Sequence, residues 1–185
     1  VSSLPTVLPV AGCAGSAGAT ILTVAIATAA GAPARVIECS GQTRTGLAAA
    51  AHAELGAHDG WARGYRDQVM LERVARPLTR VEDVPAPLPG QPGTLTLLDL
   101  GWPLPQPLTA PGWVGATTRA AAAVVLVTHA SVPGARQLAA AARLLRSTGW
   151  DGLLVAAVRG PGRPPRPVTQ ALARDGATDH LTTIP

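Results

Sequence analysis

Residues 10–31, VAGCAGSAGATILTVAIATAAG, put an apolar strand end, a turn with glycines at positions 12, 15 and 18, and a helix without a charge in immediate succession. Few folds use that order. Such a turn lets successive backbone N–H groups and a helix N-terminus converge on an anion, and it needs glycines rather than any particular side chain. The usual phosphate loop carries a lysine after its last glycine and a hydroxyl after the lysine, the hydroxyl for magnesium. Here Ala19 stands at the lysine position, and Thr20 keeps the hydroxyl. The stretch therefore reads as a phosphate loop without its side-chain cation.

The rest of the chain repeats the alternation of strand and helix. Residues 4–10 form a strand feeding the turn, 19–30 a helix ended by Gly31 and Pro33, 34–40 a second strand, and 45–56 a second helix that stops at Gly56. Residues 60–66 read as a polar loop and 67–75 as an edge strand. A proline-rich connection over 77–93 precedes a buried strand at 94–101, whose Asp99 lies at the carboxyl end. After a second proline-rich loop at 102–113, the pattern is strand (121–130), helix (132–149), strand (151–158), loop (159–167), short helix (168–175) and a final extended piece (177–185). Alternation of this kind predicts an α/β fold over residues 1–185 as one domain, a mostly parallel sheet with helices on both faces. Ligands of such sheets bind beyond the carboxyl ends of the strands.

Composition narrows the chemistry further. All 15 basic residues are arginines, so mechanisms that need a lysine are closed to this chain. The net charge of +4 is compatible with an anionic partner, DNA included through the arginines, without requiring one. Arg159, Arg163 and Arg166 share a proline-rich basic loop that reads as a solvated turn able to meet a phosphate backbone. Cys13 and Cys39 make no disulfide framework or metal motif and suit a reducing cytoplasm as buried thiols. His52, His58, His129 and His180 lack metal spacing, and Ser16 and Ser40 have no base in a recognisable triad order. Residues 1–10 lack the positive charge of a signal peptide, and the longest apolar stretch, 19–30, is too short to span a bilayer.

Taken together, AGCAGSAGAT, VIECSGQTRTGLA, LTLLDLG and AAAVVLVTHASVPGARQLAAAARLLRSTG resemble the glycine loop, the aspartate strand with first switch, the Walker B strand, and the late strand and long helix of the ParA/MinD-like deviant P-loop ATPases. The resemblance covers nearly the whole chain and implies a three-layer α/β/α fold of the P-loop NTPase type. It also implies that Gly12, Gly15, Ser16, Gly18, Ala19, Thr20, Glu38 and Asp99 form the nucleotide site, with Thr20 and Asp99 on the magnesium side. The departures are specific. Both loop lysines of the family are alanines here, Ala14 and Ala19, and its paired aspartates on the second strand are Glu38 and Ser40. That pattern implies a pseudo-ATPase with no nucleotide, or weakly bound ATP or ADP with magnesium. The expected role is a binding or positioning component of a partition, conjugation or secretion machine, acting on another copy, a protein partner or DNA.

Two alternatives stay open. In one, slow ATPase chemistry survives because an arginine, Arg44 in the first-switch segment or one from a neighbouring subunit, replaces the missing charge. In the other, Gly12, Gly15 and Gly18 serve a dinucleotide, with Glu38, twenty residues beyond Gly18, on the ribose. A chain without lysine lacks the catalytic pair of the short-chain reductases, so the second alternative is an NAD(P)-binding protein without reductase catalysis.

Overall fold

The computed structural model describes residues 7–40, 46–175 and 179–185. Arg44, Leu4 and the expected helix start at Thr45 lie outside the described residues. Among the described residues, nine strands form a single sheet: β1 (Val7–Gly12), β2 (Ala34–Glu38), β3 (Ala53–His58), β4 (Trp61–Arg66), β5 (Val69–Val74), β6 (Leu95–Asp99), β7 (Ala123–His129), β8 (Leu153–Arg159) and β9 (His180–Ile184). Their spatial order is β3-β4-β5-β2-β6-β1-β7-β8-β9. Only β4 runs against the others, because it pairs antiparallel with both β3 and β5. The helices are α1 (Ala19–Ala29), α2 (Leu47–Ala50), α3 (Pro105–Thr109), α4 (Trp113–Ala120), α5 (Val132–Ser147) and α6 (Arg166–Asp175).

Two-residue alternation sorts the core into two layers. Val10, Val36, Leu71, Leu97, Val125 and Val127 pack on the face covered by α1. Their neighbours Ala11, Ile37, Leu98, Val124 and Leu126 pack on the opposite face, under α4 and α5. The expected mostly parallel sheet between helical layers is what the chain forms. α5 buries Leu138, Ala142 and Leu145 in one stripe, and its N-cap Ser131 accepts the Gly134 N–H at 3.0 Å.

Four expectations differ. β5, read as an edge strand, lies inside the sheet between β4 and β2, because the β3–β4 hairpin adds two strands beyond it. The second helix is only four residues long, and residues 53–58 are a strand instead. Residues 60–66, read as loop, are mostly strand β4. Alanine-rich sequence favours helix, but hairpin pairing overrides it: His52 N–H donates to Tyr65 O at 2.8 Å. Asp59 and Gly60 both sit in the left-handed region, at φ 52° and 82°, the conformation of a two-residue hairpin turn. The second proline-rich loop is also more ordered than expected, since it holds α3, with a proline in its first turn, and the start of α4.

The chain has four tryptophans and no phenylalanine, and the structure gives a reason. Each indole N–H donates to a backbone carbonyl outside a regular ladder: Trp61 to Ala86 (3.0 Å), Trp102 to Cys39 (2.6 Å), Trp113 to Pro85 (2.9 Å) and Trp150 to Ala121 (2.7 Å). Prolines remove donors from the connection 77–93, so its carbonyls are held by side chains from the sheet and α4. Arg35 adds another such bond, to Leu88 O at 2.8 Å. The connection is thereby fastened to β2, β4 and α4, with its own Leu78, Val81 and Val84 buried in the core.

Candidate functional site

β1 lies between β6 and β7, where the chain order of the strands reverses, and a cleft of about 1290 Å³ opens there beyond the carboxyl ends. Gly12, Cys13, Ala14, Gly15, Ser16, Ala17, Gly18, Ala19 and Thr20 all line it. Gly18 is the N-cap of α1 at φ 94°, and among the described residues no side chain caps that helix. The N–H groups of its first turn are therefore open to an anion in the cleft, at the positive end of the helix dipole. Ser16 also holds a left-handed conformation, at φ 60°, which is uncommon for a residue with a Cβ. This backbone strain sits in the middle of the loop.

The second wall comes from β6. Asp99 is fully buried at the strand's end, and Thr20 Oγ1 donates to its Oδ2 at 2.5 Å across 79 residues of sequence. The other oxygen, Oδ1, has no hydrogen-bond partner among the described residues. Burial pushes the carboxyl up to about 6, with the Thr20 hydroxyl drawing it back down. Among the described residues no basic side chain forms an ion pair with this carboxylate, so burial is not offset by a counter-charge. The Asp99 carboxylate and the Thr20 hydroxyl are oxygen donors suited to magnesium, which binds one or two carboxylates and completes its shell with phosphate and water.

Glu38 is placed differently. It is the register partner of Asp99 on β2, but it is buried, accepts from Ser40 Oγ at 3.4 Å, and does not line the cleft. Of the residues expected in the nucleotide site, seven border the cleft and Glu38 stands behind it. Cys13 does reach the cleft, but burial pushes its thiol up to about 12, so it stays protonated and unreactive near neutrality. Burial, followed by the charges of Asp99 and Glu38, raises Cys39 as well. His129 is exposed and outside the lining.

Sequence reasoning missed the two basic residues that line the cleft, Arg66 and Arg159. Arg66 comes from the unforeseen strand β4 and donates to Ala50 O at 3.3 Å. Arg159, read as part of a solvated turn, lies against the glycine loop, with its Nη1 3.5 Å from Ser16 O. No local pattern could have disclosed this contact, because it joins residues 143 positions apart.

An AMPPNP-bound plasmid partition protein of Borrelia burgdorferi B31 superposes with a TM-score of 0.61 at 8% identity, covering 99% of this chain and 88% of that one. The chain has the fold of the ParA-type partition ATPases. A ParA family ATPase from Chlorobium tepidum TLS (TM-score 0.58, 10% identity, 98% and 84% covered) and apo McdA from Cyanthece (0.55, 12%, 98% and 85%) are similar to it along the same length. No protein-family model and no curated protein matches the chain. No helix among the described residues is long and apolar enough to cross a membrane.

Proposed function

We propose that this ParA-like, partition-related protein binds a nucleoside di- or triphosphate with magnesium and turns it over poorly. It would act as a binding or positioning component of a partition, conjugation or secretion machine. The observation that carries this reading is the pairing of Thr20 with a buried, half-satisfied Asp99 at the mouth of a glycine loop that has alanines at 14 and 19. The loop N–H groups would bind phosphate. Thr20 and Asp99 would hold magnesium, which would supply charge neutralisation between the phosphates and the buried carboxylate. Ala14 and Ala19 have no cation to follow charge onto the leaving oxygen, the contact on which phosphoryl transfer depends.

Binding and turnover separate on energetic grounds. Losing one charge-assisted hydrogen bond weakens binding by roughly 1.5–3 kcal/mol, which a loop of N–H donors can absorb. A donor acting only in the transition state commonly contributes about 10²- to 10³-fold in rate. Partners by this reading are a second copy, a protein of the machine, or DNA met by the exposed Arg136, Arg163, Arg166 and Arg174.

Thermal shift with Mg-ATP, Mg-ADP, NAD and NADPH, together with phosphate release, tests the proposal. The expected result is stabilisation by Mg-ATP or Mg-ADP, approaching about 2.7 kcal/mol at a hundred times the dissociation constant, with phosphate release near background. Brisk ATP hydrolysis refutes the pseudo-ATPase part. Selective stabilisation by NADPH refutes the choice of nucleotide, although Glu38, buried behind the cleft, is poorly placed to meet a ribose.

A further inference from the structure

The geometry points to Arg159 as the phosphate-binding cation of this loop, taking from the end of β8 the place that Ala14 and Ala19 leave vacant. This inference rests on the nucleotide reading above and names the residue that makes it work. Arg159 is the last residue of β8, in register with His129 of β7, and β7 in turn pairs with β1 just before the loop. From there the side chain reaches across to α1. Its Cδ and Nη1 come within 3.1 and 3.3 Å of the point where a Cβ on Gly18 would stand. The absence of a side chain at position 18 therefore does two things: it allows the left-handed backbone, and it lets a guanidinium lie on the loop.

Electrostatics makes this placement informative. A cation beside a helix N-terminus meets the positive end of the dipole, which disfavours it, and no acidic residue stands in the first turn of α1 to offset it. Among the described residues, no carboxylate forms an ion pair with Arg159; its contact at the loop is the long one to Ser16 O, at 3.5 Å. A bond of that length is weak, so an incoming anion exchanges it at little loss. An anion on the same spot satisfies the guanidinium and the N–H groups together.

A second, independent observation lies on the opposite wall. Among the described residues, the buried Asp99 Oδ1 has no hydrogen-bond partner, and a cation within the same cleft would satisfy it. A polyphosphate carrying a divalent ion answers both demands at once, giving phosphate oxygens to Arg159 and the loop and its metal to Asp99 and Thr20. The ligand class is thus a nucleoside di- or triphosphate with magnesium. A planar, always charged guanidinium grips phosphate with two parallel bonds, which suits holding better than following a moving phosphoryl group.

Isothermal titration of Mg-ATP into wild type, Arg159→Ala, Arg159→Lys, Arg159→Gln and the loop control Arg163→Ala tests this. The expected outcome is a loss of about ten- to 150-fold in affinity for the alanine variant, partial recovery with lysine, none with glutamine, and no change at Arg163. Glutamine keeps a donor for Ser16 O without the charge, so recovery with glutamine would assign Arg159 a purely structural role and overturn the inference. Unchanged affinity in Arg159→Ala also overturns it while leaving nucleotide binding intact. If wild type binds neither Mg-ATP nor Mg-ADP, the nucleotide reading falls first and this one with it.

Discussion

Two carboxylates are buried in this sheet under opposite conditions. Glu72 on β5 lies between arginines: Arg63 Nη2 is 3.1 Å from its Oε1, and Arg35 Nη1 is 3.6 Å from its Oε2. Arg35 is fixed in turn by Thr96 and Leu88, at 3.0 and 2.8 Å. Asp99, two strands away on β6, receives one hydroxyl and, among the described residues, no cation. The first arrangement has its counter-charges within the chain, although Oε2 makes no hydrogen bond among the described residues, and it belongs to architecture, joining β4, β5 and β2 to the proline-rich connection. The second is incomplete, and it borders the cleft. Burial alone does not mark function; a buried charge left without its counter-charge does.

The comparison breaks most readily at Glu72. Removing this carboxylate in Glu72→Ala leaves two arginines facing each other without an anion, and breaking a buried pair in this way destabilises by about 3–5 kcal/mol. For a chain of this size each kcal/mol moves the melting midpoint by roughly 2–4 °C, so calorimetry should show a large drop. Replacing Arg35, Arg63 and Glu72 together by apolar residues of similar volume should recover much of it. If the single variant melts like wild type, the Glu72 carboxylate does not hold these strands together.

Asp99 should respond in the opposite sense. Its folded-state value of about 6 stands above the ordinary 3.8, so the native chain binds a proton more tightly than the unfolded chain. Stability from this group is full below about pH 4 and is lost as pH rises through 6, by about 3 kcal/mol in all. Asp99→Asn should remove that slope and melt higher than wild type at pH 7 without ligand, while losing the magnesium-dependent part of nucleotide binding. Denaturation at pH 4.5 and 7.5 checks the sign; a variant less stable than wild type at 7.5 would contradict the account.

What the sequence disclosed follows from the same physics. β1, α1, β6, β7, α5 and β8 were legible because apolar periodicity and glycine stops are local signals, and Thr20 and Asp99 were legible by their places relative to those elements. The β3–β4 hairpin was not, since its alanines and exposed β3 imitate a helix; the Asp59-Gly60 pair was the available signal. Arg159 was hidden for a different reason. A cation delivered to the loop from another strand leaves no trace in the loop's own residues, whereas the missing lysine leaves an obvious one.

The connection at 77–93 offers a third, smaller test on the Glu72 side. Trp61→Phe keeps the ring in the core and deletes the bond to Ala86 O, which should destabilise by about 1–3 kcal/mol if that carbonyl stays buried. Limited proteolysis should then cut within 77–93 sooner than in wild type. Equal cleavage rates would mean that Arg35 and Trp113 hold the connection without help.

The smallest effect belongs to a carboxylate at the surface, Asp179, which sharpens the contrast because it is satisfied without burial. Its Oδ2 accepts from Leu154 N–H at 2.7 Å and from Arg146 Nη2 at 2.8 Å, tying the start of β8 to the approach to β9. The backbone bond from Leu154, and then Arg146, hold its carboxyl below the ordinary value. A depressed value means that its stabilisation is present above about pH 4 and fades as pH falls through the folded-state value. Asp179→Asn keeps an acceptor for Leu154 but no charge for Arg146. Its melting midpoint should therefore sit slightly below wild type at pH 7 in low salt, with the gap narrowing in high salt and as pH falls below about 4. A gap indifferent to both would show that the link works through geometry alone, and that charge decides nothing at this edge of the sheet.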